Sequence, residues 1–62
     1  MNWELYEVWA VDVNGSEDLI DTTKSLKEAR EIAEVNIGDD IVKCVIYRED
    51  DNGELQAVET VK

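Results

Sequence analysis

The chain has 62 residues, 44% of them hydrophobic, and a formal net charge of −10, with no histidine, no proline and a single cysteine. That length allows one domain, residues 1–62, near the lower limit for independent folding, and the hydrophobic content argues against disorder. One thiol excludes an internal disulfide, and the missing histidines and second thiol remove the usual transition-metal ligand sets, so stability must come from a well-packed core, self-association or both.

The first element reads as a strand over residues 3–13, apolar on both sides. In the stretch LYEVWAVDVNG, Leu5, Trp9, Val11 and Val13 alternate with Tyr6, Val8 and Ala10. A small sheet ordinarily buries one face, so the second apolar face needs a cover of its own. Asn14-Gly15 suits a two-residue hairpin turn, because Asn and Gly best tolerate the positive φ that such a turn demands. A tight turn there sets Val13 opposite Ser16, Val11 opposite Asp18, Ala10 opposite Leu19, Trp9 opposite Ile20 and Val8 opposite Asp21. The second strand, about residues 17–23, is short and acidic, as suits a protected sheet edge.

A helix follows. Ser25-Leu26-Lys27-Glu28 has the form of a capping box, and Leu26, Ala29, Ile32, Ala33 and Ile37 recur on one face. Gly38 is placed for a left-handed C-terminal cap. Residues 41–48, IVKCVIYR, read as a third strand rich in β-branched side chains. Asp50-Asp51-Asn52-Gly53 reads as a turn with Gly53 left-handed, and residues 54–61 return as the last strand. Pairing Asp50 with Glu54 sets Arg48 beside Gln56 and Ile46 beside Val58, whereas a tighter turn would shift that register by one. The expected fold is therefore α+β, in the order ββαββ, with one helix packed on one face of a four-stranded antiparallel sheet. Strand order stays open. An Asn-Gly turn sits near each end, but the flanking pieces do not match residue for residue, so no repeat is assigned.

The chemistry-bearing residues point away from catalysis. Without histidine, Ser16, Ser25 and Cys44 lack the usual general base, and each has a local structural role: turn, cap and small buried hydrophobe. Paired acids such as Asp39-Asp40 lack the walls of a cleft. Setting Gly53 at the glycine of a calcium loop puts Asp50, Asn52 and Glu59 at ligand positions but Arg48 at the first, between strands rather than helices. No metal, cofactor or catalytic residue is therefore assigned. The six basic residues are scattered, and acids surround Tyr6, Trp9 and Tyr47, which disfavours direct nucleic-acid binding. No apolar stretch approaches a membrane span, and the acidic N-terminus is unlike a signal peptide, so a cytoplasmic protein is expected.

Two functions from different classes fit. The helix stripe covers one sheet face, expected to carry Tyr6, Val8, Ala10 and Leu19, and leaves Trp3, Leu5, Trp9, Val11 and Ile20 as an apolar protein-binding face. Swapping the faces would expose Tyr6, Val8 and Leu19 instead. An exposed apolar face of this kind marks an interaction module, expected to form a homodimer or bind another protein. The alternative is an acidic decoy that occupies a basic surface on a partner, through Glu17, Asp18, Asp21, Asp50 and Asp51. It resembles phage-type DNA mimics in charge and size, not in motif.

Overall fold

A computed structural model describes residues 5–62. Strand β1 (Leu5–Asp12), β2 (Glu17–Thr23), helix α1 (Leu26–Asn36), β3 (Ile41–Glu49) and β4 (Leu55–Val61) follow in the expected ββαββ order. The strands form one open antiparallel sheet in the order β2-β1-β3-β4. The strongly apolar strands β1 and β3 thus lie at the centre, and the more polar β2 and β4 form the edges.

The helix begins where Ser25, in an extended conformation, accepts from the Glu28 amide at 3.3 Å. Only this half of the capping box forms. The Glu28 carboxylate instead accepts from the Thr23 hydroxyl at 2.7 Å, and that hydroxyl accepts from the Ser25 amide at 3.3 Å. At the other end, the side-chain amide of Asn36 folds back and donates to the Ile32 carbonyl one turn earlier, at 2.8 Å. Gly38 does not make the expected left-handed cap. Its φ is +136°, and its amide and carbonyl exchange hydrogen bonds with Ile41, which turns the chain through Asp39 and Asp40 into β3.

The helix presents Ala29 and Ala33, both fully buried, to the sheet. Small side chains one turn apart let its backbone approach closely. Tyr6, Val8 and Ala10 of β1 and Cys44 and Ile46 of β3 complete that core, with Leu26, Ile32, Ile37, Ile41 and Val61 around its margin. The face expected to lie under the helix is therefore the covered one, apart from Leu19.

Leu19 is displaced by the turn. Asp12 accepts from the Asn14 and Ser16 amides through Oδ1, while its own amide donates to the Ser16 carbonyl and its carbonyl accepts from Gly15. The loop therefore spans Val13, Asn14 and Gly15, one residue longer than expected, with Gly15 at φ +86°. Trp9 now opposes Leu19, and Ala10 opposes Asp18. A bulge at Ile20 then restores the expected pairing of Val8 with Asp21.

The second hairpin repeats this arrangement. Asp50 Oδ1 accepts from the Asn52 and Glu54 amides, and Gly53 has φ +81°. Arg48 opposes Gln56 as expected, but a bulge at Val58 sets Ile46 opposite Glu59. The offset that carries Asp12 onto Asp50 also carries Asn14 onto Asn52, Gly15 onto Gly53, Ile20 onto Val58, Thr22 onto Thr60 and Lys24 onto Lys62. Every pairing of β1 with β2 maps onto a pairing of β3 with β4. The hairpins are thus related by an approximate twofold axis normal to the sheet, passing beside Val8 and Ile46, which oppose each other. Helix α1 breaks the symmetry, because it joins the hairpins once, between β2 and β3, and the twofold rotation reverses its direction.

Candidate interaction surface

The face opposite α1 is built by alternation along the two central strands. Val11 and Val45 lie on it: they are only 6% and 8% exposed, yet stand outside the helix-side core. Trp9 lies opposite Val45 and diagonal to Tyr47 on β3. The indole and phenol rings meet edge to face, with centroids 6.2 Å apart at 83°. This geometry directs the positive edge of one ring at the negative face of the other. The indole Nε1 donates to Glu7 Oε1 at 3.0 Å, which ties the ring to its own strand. The two rings remain half-buried, and no secondary element lies over them among the described residues.

Around this centre the register places Leu5, Leu19 and Leu55 on the same face, the latter two 48% and 42% exposed. Glu7, Glu17, Glu49 and Lys43 lie among them. Of the residues assigned to this surface from sequence, Leu5, Trp9 and Val11 come together. Ile20 occupies the bulge, and Leu19 takes the place opposite Trp9. Trp3 lies outside the described residues. Tyr47, Val45 and Leu55 were missed from sequence, because placing them requires knowing that β1 and β3 are neighbours.

The acidic candidates are spread differently. Glu17, Asp18 and Asp21 are exposed along the β2 edge, whereas Asp50 and Asp51 sit at the tip of the β3–β4 hairpin. The two hairpin tips point to opposite ends of the sheet, because β1 and β3 are antiparallel, and the molecule is 39 Å long. The structure therefore does not bring the five acids into one cluster. Asp50 is engaged locally: the Glu54 amide first, then the Asn52 amide, Gln56 and nearby Arg48, hold its carboxyl below the usual range.

Cys44 is buried beneath α1, its Sγ 3.6 Å from the Ala33 carbonyl, and burial pushes its thiol pKa up. That environment opposes formation of a nucleophilic thiolate. No group of three or more His, Cys, Asp or Glu side chains converges as a metal site among the described residues. Nor, among them, is any helix long and apolar enough to cross a membrane.

Fold and surface together define a class, a small antiparallel sheet with one helix-covered face and one open aromatic face. Compared with protein-family models, curated proteins and solved structures, the chain matches none.

Proposed function

We propose that this chain is a non-catalytic protein-interaction module of the cytoplasm that binds through the open sheet face. The observation that carries this reading is the Trp9–Tyr47 pair, half-buried at the centre of an apolar face that α1 does not reach. Trp and Tyr are favoured binding anchors because they bury much area for little lost side-chain freedom. The sequence expectation of a homodimer is one form of this function, and a different protein partner is the other; direct nucleic-acid or membrane binding is not part of the reading.

The decisive variant is Trp9→Lys, which puts a charge at the centre of the face. It abolishes the wild-type chain's association, measured by sedimentation or with an isolated partner, while the circular dichroism of helix and sheet persists. Unfolding would make Trp9 a core residue, and unchanged association would remove the open face from the function.

A second reading, the acidic decoy, draws support from β2, where residues 17–22 are all exposed and include Glu17, Asp18 and Asp21. It predicts a complex that weakens steeply with salt. A partner complex indifferent to salt would count against it.

A further inference from the structure

We propose that the occupant of the open face is a cationic amphipathic helix of another protein, with an apolar stripe flanked by Lys or Arg, rather than a second copy of this chain. This rests on the open-face reading and names its partner class. The apolar residues Leu19, Val11, Trp9, Val45, Tyr47 and Leu55 extend from the β2 edge across the central strands to β4. Neighbouring strands are about 4.8 Å apart, so this face is as wide as the one α1 already occupies on the reverse. A helix of three turns, about 16 Å long, spans it as α1 does.

Charge decides between the two occupants. Glu7, Glu17 and Glu49 interrupt the apolar surface within the paired strands, where Lys43 is the base placed among them. Each Glu7 oxygen can accept more than one hydrogen bond, so its bond to the indole leaves capacity for an incoming cation. A second copy would bring the same carboxylates together in a partly desolvated interface, between chains that each carry a net charge of −10. A helix flanked by Lys and Arg instead pairs with those carboxylates while its stripe covers the rings.

The test uses the full chain with Trp3→Phe, so that Trp9 is the fluorescent reporter. The probe is a synthetic Leu/Lys peptide of about 14 residues with leucines at helical spacing. One control keeps its composition but scrambles the stripe; another replaces Lys with Glu. The striped Leu/Lys peptide is expected to shift Trp9 emission, to perturb the Trp9, Tyr47 and Leu19 amide resonances, and to bind about tenfold tighter than the scrambled one. Glu7→Gln with Glu49→Gln should weaken it by about five- to tenfold, since Gln keeps the acceptor for the indole and removes the charge. Equal binding of striped and scrambled peptides would overturn the proposal by reducing the effect to general acidity. A free chain that dimerises through Trp9, shown by a doubled mass lost in Trp9→Lys, would overturn it while leaving the open-face function intact. A monomer whose open-face resonances ignore every peptide, and whose protein partner tolerates Trp9→Lys, would sink both.

Discussion

Trp9 and Tyr47 are counterparts under the internal twofold, and they meet edge to face at 6.2 Å on the side of the sheet that α1 leaves open. Each stands three residues before the aspartate that organises its hairpin turn, Asp12 or Asp50. The pair brings the two hairpins into contact on a face that has no helix to join them. Val11 and Val45, on the same face, are only 6% and 8% exposed.

An edge-to-face aromatic pair contributes about 0.5–1.5 kcal/mol beyond its buried area. A double-mutant cycle with Trp9→Leu and Tyr47→Leu, followed by urea unfolding, should return a coupling in that range. Additive effects would mean that the rings act independently, and that the two hairpins are joined by backbone pairing and the helix-side core alone.

The covered face should be far less tolerant. Ile46 is fully buried at the twofold axis, so Ile46→Ala should cost about 2–5 kcal/mol, a large part of the stability available to a chain of this size. Ala33→Leu tests the close approach of the helix from the opposite direction. Overpacking there should cost about 1–3 kcal/mol and move α1 outward. If the larger side chain were accepted without loss of thermal stability, Ala33 would not set the helix–sheet distance.

Asp50 makes a pH prediction. Asp50's folded pKa is depressed, chiefly by the Glu54 amide, so its contribution is present above the unfolded value of about 3.9. It is lost as the pH falls through the depressed folded value. Asp50→Ala should therefore lower the urea midpoint at pH 7, and its deficit relative to wild type should shrink as acid protonates the wild-type carboxyl. Asp50→Asn keeps one acceptor oxygen and should fall between the two. A deficit constant from pH 7 to strong acid would assign the effect to loop packing rather than to the charged acceptor.

Periodicity made much of this fold legible. The helical stripe and the period-two runs of β1 and β3 reveal element order, the Ser25 cap and the covered positions Tyr6, Val8 and Ala10. Loop length was harder, because Asn14-Gly15 fits a two-residue turn as well as a three-residue one. The deciding residue is Asp12, whose carboxylate gathers the Asn14 and Ser16 amides. The same letters at Asp50, Asn52 and Gly53 were the available signal, and they also mark the internal equivalence that went unassigned because the flanking pieces do not match residue for residue. The bulges at Ile20 and Val58 leave no local signature, since an extra residue in an edge strand changes pairing without changing composition. Tyr47 joined the candidate site through strand order, a long-range property that no single stretch encodes.

Cys44 offers a direct measure of how firmly α1 is seated. Its thiol is fully buried beneath the helix, and burial raises its pKa, so a thiol reagent must wait for the helix or the whole domain to open. With a stability of about 3–5 kcal/mol, opening-limited labelling should run roughly 10²–10⁴ times slower than for an unfolded control. Ala33→Leu should accelerate it, because it loosens the contact directly above the sulfur, whereas Trp9→Leu, on the opposite face, should act only through global stability. Measuring labelling and urea unfolding on the same variants separates the two routes. Labelling of the native wild type as fast as the unfolded chain would mean that the helix-side core is open to solvent, contrary to the packing of Ala33 against Cys44.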